Sequence, residues 1–330
     1  MQPTIREADA GPPAHTASKM HPTASDVLYA SGPLVAARLS EHMERRDYQG
    51  FTVHPVTPTI GAEIEGLQIG GELSESVLAE LRRALHEFKV LVFRDQDIDR
   101  DGHRRFASCW GPIERHPFTS LKASSGQTDA DVATLVRHTQ RGAIENNWHN
   151  DVSWHERPSV GAVLRAVEVP AVGGDTLWVD TGAAYDLLPE SVRQRIDGLW
   201  AEHDWRQTEE FGQRMTPDEI GRFHQAFPPV EHPIVWEIPE TGRRVLFVNT
   251  IFTTRIIGLG QEESDELLTL LYRHIRRPEF QFRLRWRPDT VAIWDNRSTQ
   301  HYASSDYFPQ RRVMDRISIG GVRPVGIGGK

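Results

Sequence analysis

A single cysteine, Cys109, stands among 330 residues, so no disulfide can close within the chain. Neither a thiolate zinc cluster nor an iron–sulfur centre can be assembled. A reducing compartment fits, and a cytoplasmic location is expected. No run of 18 or more apolar residues occurs, which leaves no candidate membrane-spanning helix, and the first residues lack the basic-then-apolar layout of an export signal. Long Lys/Arg runs are missing too. With 46 acidic against 38 basic residues the formal net charge is −8, so neither nucleic acid nor membrane is an expected partner. There is no GxGxxG or Walker sequence and no internal repeat.

What is present is enough apolar material, 38% of residues, to fill a sizeable core. Residues 1–48 are rich in Pro, Ala, Ser and charge, and only Ser25 to Arg45 spaces apolar residues at helical intervals. A loose N-terminal arm with one short helix is therefore expected, followed by a folded domain over 49–330. Phe51-Thr52-Val53-His54-Pro55-Val56 and Gly61-Ala62-Glu63-Ile64-Glu65-Gly66 read as short strands and turns. Ser74 can cap a helix with Leu78, Leu81, Leu85 and Phe88 on one stripe, and Lys89 to Phe93 reads as a buried strand.

Further helices are predicted at Asp99–Trp110, Ala183–Asp197, Thr216–Ala226 and Glu262–Arg276. Strands are predicted at Ala162–Ala166, Thr176–Val179, Ile234–Ile238, Arg244–Val248, Phe280–Trp286, Thr290–Trp294 and Arg312–Ile319, with a turn at Val172-Gly173-Gly174-Asp175. Lys122 to Asp131 has the composition of a mobile, lid-like loop. Many short strands with a few helices imply an antiparallel barrel or sandwich, mainly β with flanking helices.

Chemistry concentrates in Asn146-Asn147-Trp148-His149-Asn150-Asp151-Val152-Ser153-Trp154. In extended backbone the side chains at i and i+2 point the same way, so His149 and Asp151 can grip one ion. An isolated His-x-Asp is more often accidental. His42-Met43-Glu44 is such an accident, because in a helical segment i and i+2 diverge. The difference here is a third donor, His301, which closes the strand-like run Trp294-Asp295-Asn296-Arg297-Ser298-Thr299-Gln300-His301. Two imidazoles and one carboxylate make the facial triad that leaves positions open on ferrous iron.

The strand Arg311-Arg312-Val313-Met314-Asp315-Arg316-Ile317-Ser318-Ile319 alternates with period 2. Val313, Ile317 and Ile319 share one face; Arg312, Arg316 and Ser318 share the other, with the two arginines separated by roughly 13 Å. A solvated basic face is the ordinary reading of such a pattern. The apolar opposite face and the position just after His301 point instead to guanidinium recognition of carboxylate, sulfonate or phosphate.

Taken together, WHND, GGDTLW, LFVN followed by FTTRI, AIWDNRSTQHYA and QRRVMDRISI resemble the iron(II)/2-oxoglutarate-dependent dioxygenases of the taurine dioxygenase (TauD/TfdA) family. The likeness runs from about Phe51 to Pro324. It implies a double-stranded β-helix (jelly-roll) core, with Fe(II), 2-oxoglutarate and O2 as cofactor and cosubstrates. Carried over by position, it makes His149, Asp151 and His301 the catalytic iron ligands, while Arg312 and Thr176 hold the distal carboxylate of 2-oxoglutarate. Arg316, His116 and Phe252 match residues that surround taurine in that family. Thr119 and Glu145 stand where a tyrosine and an asparagine would meet its amine, so a substrate other than taurine is expected. Trp148, Trp154 and Trp178 are candidates for a dry aromatic wall beside Phe252.

The implied reaction couples decarboxylation of 2-oxoglutarate to succinate and CO2 with hydroxylation of a small anionic substrate, a sulfonate, sulfate ester or carboxylate. The alternatives are a biosynthetic hydroxylase or desaturase of an amino-acid-like metabolite and, in another class, a non-catalytic anion-binding β-barrel. Members of the family are often dimers or tetramers, so a homo-oligomer is expected.

Overall fold

Two antiparallel-rich sheets pack face to face, and the reason lies in which residues alternate. The computed structural model describes residues 47–115, 117, 131–137, 146–207 and 215–329. The larger sheet has eight strands. From edge to edge it runs through Thr52–Pro55, Ala62–Glu65, Val90–Phe93, Val291–Asp295, Ser159–Glu168, Arg312–Gly321 and Ile113–Glu114, with Ala133–Arg137 also paired to Arg312–Gly321. The smaller one places Thr176–Asp180 between Gln281–Leu284 and Thr299–Ala303.

Between the sheets lies a dry layer to which both contribute. Val90, Val92, Ala162, Leu164, Ala292, Trp294 and Met314 come from the large sheet, and Trp178, Phe282 and Leu284 from the small one. Strand alternation sends the neighbouring residues outward: Leu91, Phe93, Val163, Ile293, Ile317 and Ile319 meet a helical layer instead. That layer includes Glu75–Phe88, capped by Ser74 through the Val77 N–H, and Arg100–Ser108, capped by Asp99. Leu78, Leu81, Leu85 and Phe88 are buried, each contributing roughly 1.5–3 kcal/mol by leaving water. On the outer side of the small sheet, Gln261–Ile275 and the helices after Asp180 cover Val179 and Tyr302. A separate three-stranded sheet, Thr253–Ile256, Trp200–His203 and Val230–Pro233, stands beside this frame.

The expected helix over Ala183–Asp197 is two helices, Thr181–Asp186 and Glu190–Ile196. Pro189 explains the break, since the residue before proline is pushed out of helical backbone. Lys89 does not open the following strand. It ends the preceding helix in left-handed backbone at φ 61°, and its ammonium lies 2.9 Å from the buried Asp180 carboxylate. Thr253–Ile256 and Trp200–His203 are strands that no periodic pattern announced. The strand-like run Trp294–His301 is broken by a turn over Asn296–Ser298, so that His301 lies in a second strand, Thr299–Ala303. The predicted helix within residues 25–45, the accidental His42-Met43-Glu44 and most of the Lys122–Asp131 loop lie outside the described residues.

Candidate functional site

His149, Asp151 and His301 converge. One potential ligand atom from each lies within 4.8 Å of the others, and all three residues are buried. Both imidazole Nε2 atoms are 3.8 Å from Asp151 Oδ1, and the two rings have centroids 4.2 Å apart. The convergence is built into the backbone. His149 and His301 form an isolated antiparallel bridge, in which the His149 N–H donates to the His301 carbonyl at 3.1 Å and the His301 N–H donates back at 2.9 Å.

Asparagines stitch the two motifs together. Asn296 Oδ1 accepts the Asp151 N–H at 2.8 Å, and its Nδ2 donates to the carbonyls of Asp151 and Ser159 at 3.0 and 2.8 Å. Asn150 Nδ2 reciprocates, donating to the carbonyls of Asn296 and Thr299 at 2.9 and 2.7 Å. Sequence reasoning singled out neither residue. The signal was present in WHND and WDN, but short polar residues in turns carry no periodicity that would mark them.

The donor set suits a divalent metal. His149 Nδ1 lies 2.9 Å from the Asn147 carbonyl; a carbonyl only accepts, so the proton sits on Nδ1 and the Nε2 lone pair is left for a ligand. Burial holds His301 at about 3, far below an ordinary histidine and only partly offset by Asp151, which keeps its imidazole neutral. Burial alone would raise the Asp151 pKa, but the Arg316 guanidinium outweighs it and holds the carboxyl well below the usual carboxylate range. Two imidazoles and one carboxylate fit ferrous iron in a site with open positions.

Arg316 Nη2 lies 2.6 Å from Asp151 Oδ2. Its Nε is buried without a hydrogen-bond partner among the described residues, and the guanidinium carbon sits 5.7 Å above the Trp294 ring. Trp294 also touches His301, with centroids 5.2 Å apart, so it belongs to the wall of the site. The expected wall is corrected in turn. Trp148 packs against Tyr302 in the outer helical layer, because its side chain points opposite to that of His149. Trp178 fills the layer between the sheets and Trp154 a cluster behind the metal-facing turn. Phe252 does face the centre, edge-on to His149 at 6.4 Å.

On the same face of their strand as Arg316, Arg312 is buried rather than solvated. Its Nε donates to the Gly174 carbonyl at 3.1 Å, and its Nη2 lies 3.5 Å from Thr176 Oγ1. Thr176 Oγ1 also accepts the Trp286 indole N–H at 2.9 Å, which leaves its own hydrogen to donate elsewhere. The Gly173-Gly174 turn makes this approach possible. Gly174 has φ 72°, and a Cβ there would come within 3.2 Å of Arg312 Cδ. His116, Thr119 and Glu145 lie outside the described residues.

Residues 52–318 match the family model described as "Taurine catabolism dioxygenase TauD, TfdA family". The chain is 36% identical over 287 residues to an alpha-ketoglutarate-dependent sulfate ester dioxygenase of Pseudomonas putida, covering 84% of this chain and 92% of that one. It is 36% identical over 281 residues to an alkylsulfatase of Acinetobacter baylyi, covering 83% and 86%. Among solved structures, a taurine dioxygenase from Burkholderia xenovorans superposes with a TM-score of 0.72 at 32% identity, over 85% of this chain and 94% of that one. A buried two-histidine, one-aspartate centre with a guanidinium beside a hydroxyl on the adjoining strands is thus joined to a match along most of the chain, and the protein belongs to the TauD/TfdA family of dioxygenases that use Fe(II), 2-oxoglutarate and O2.

Proposed function

We propose that the chain oxidises a sulfate ester at the carbon bearing the ester oxygen. The observation that carries this reading is the placement of Arg316: its guanidinium touches the metal-facing aspartate and keeps a buried donor, Nε, without a partner among the described residues. An anion held there is brought beside the metal, so the carbon bonded to that anion is the one offered for oxidation. The similarity to sulfate-ester enzymes favours sulfate over a carboxylate as the anion.

The two arginines divide the anchoring roles along one strand. His149, Asp151 and His301 hold the iron, and Arg312 with the Thr176 hydroxyl holds the distal carboxylate of 2-oxoglutarate. Arg316 anchors the substrate anion, and Phe252 with Trp294 keeps water from the reacting carbon. Iron with 2-oxoglutarate and O2 supplies the oxidising power, with succinate and CO2 as co-products. Hydroxylation beside the ester oxygen gives a hemiacetal sulfate; its O–H proton is lost as the C–O bond to sulfate breaks, leaving an aldehyde and sulfate. We further assign the two facing sheets to a double-stranded β-helix (jelly-roll) core.

Succinate and sulfate release measured across alkyl sulfates, alkyl sulfonates and amino acids tests the reading. Sulfate and succinate should appear in equal amounts with an alkyl sulfate. Turnover on amino acids alone would overturn it.

A further inference from the structure

Directly after the metal-facing Asp151 stands Val152, with φ at 55° in the left-handed region. A β-branched side chain is strained there, because Cβ crowds the following carbonyl, and such a conformation persists only where its surroundings hold it. The hold comes from the next residue. Ser153 is fully buried; its Oγ accepts from Asn249 Nδ2 at 2.9 Å and lies 3.2 Å from His203 Nδ1.

Asn249, also fully buried, works in the other direction too. Its Oδ1 accepts the backbone N–H groups of Ile251 and Phe252 at 3.2 and 2.9 Å. Its own N–H donates to Thr253 Oγ1 at 2.9 Å, an atom 3.4 Å from His203 Nε2. The circuit from Asn249 through Ser153, His203 and Thr253 therefore closes on itself. It joins two loops that are 96 residues apart: the turn that aims Asp151, and the turn that sets Phe252 edge-on to His149.

We infer that Asn249 is a positioning residue for the metal centre. Through Ser153 it holds the strained Val152 turn and thereby aims the Asp151 carboxylate at His149 and His301; through its side-chain oxygen it fixes the Phe252 wall. It touches neither metal nor substrate. The inference rests on the metal-site reading, and Mn(II) binding to the metal-free protein separates the two.

Mn(II) is titrated into the metal-free full chain, with free ion followed by its EPR signal and folding followed by circular dichroism and thermal unfolding. Ser153→Ala, which leaves the Asn249 turn intact, should weaken Mn(II) binding about tenfold as Val152 relaxes out of its strained backbone. Asn249→Ala should do at least as much. Adding Val152→Gly to Ser153→Ala should bring affinity back to within about threefold of wild type, because glycine occupies both φ regions with nearly equal ease. Affinity should recover while stability falls further from the lost valine packing, a divergence that a purely structural role would not produce. Should Asn249→Ala fail to fold, the Ser153 pair carries the test. Folded single variants that bind Mn(II) like wild type, or a double variant no tighter than Ser153→Ala, would overturn the inference. A wild-type protein indifferent to Mn(II), with His301→Ala no different, would sink the metal reading and this inference with it.

Discussion

Removing the Arg312 side chain should cost cosubstrate affinity and little else. The residue is 7% exposed and its Nε is already engaged by the Gly174 carbonyl, so the fork is pre-aimed beside Thr176 Oγ1 and little ordering remains when a carboxylate arrives. A hydrogen bond to a charged partner contributes about 1.5–3 kcal/mol. At about 1.4 kcal/mol per tenfold, Arg312→Ala should weaken 2-oxoglutarate binding by about 10- to 150-fold. Arg312→Lys keeps the charge but loses the planar fork, and should fall between. Thr176→Val removes one neutral donor, about 1 kcal/mol or roughly fivefold. The assay is an anaerobic titration of the iron(II)-saturated protein with 2-oxoglutarate, following the weak visible charge-transfer band of the chelate. Arg316→Ala, measured at saturating iron, should shift that midpoint far less, while raising the substrate KM. Equal losses of cosubstrate affinity in the two arginine variants would refute the division of labour along the strand.

The buried Lys89–Asp180 pair makes a stability prediction. Lys89→Met leaves the Asp180 carboxylate, fully buried and held low against its burial chiefly by Lys89, without its balancing charge, and should cost about 3–5 kcal/mol in urea unfolding. Adding Asp180→Asn should recover part of that loss; a double variant less stable than Lys89→Met would contradict the charge argument. Acid sensitivity follows from three other groups. Burial is the main cause that holds His103, His232 and His274 at about 4, against an ordinary 6.5. The unfolded chain therefore takes up protons first as pH falls, and stability is full above 6.5 and drains away between 6.5 and about 4. Each histidine contributes up to roughly 3 kcal/mol across that window. Urea midpoints that stay level from about pH 7.5 to about pH 5 would show the buried imidazoles to be charged already.

The iron ligands were legible because they follow backbone rules. His149 sits in an antiparallel bridge and Asp151 opens the turn that follows, yet the i and i+2 spacing still brings them together, and alternation put both arginines on one face of their strand. The cap at Ser74 was legible for the same reason: it depends on a few adjacent residues. What escaped depends on partners far along the chain. Lys89 is buried because Asp180, 91 positions away, and the Thr59 carbonyl receive its ammonium, and Asn249 acquires its role from Ser153. No local pattern encodes either. Tryptophans were hard to place because a large ring suits the layer between the sheets, the helical layer and the site wall alike. Trp148 and Trp294 could be told apart only by the direction the backbone gives each side chain.

The antiparallel bridge between His149 and His301 has a use beyond this enzyme. Because main-chain amides set where these two side chains begin, the spot they share does not depend on their being imidazoles. A glutamate introduced at either position would start from the same backbone anchor and aim its carboxylate toward the same centre, with its own reach. The scaffold could therefore be re-equipped for another metal, and another chemistry, by swapping donors without redesigning the fold.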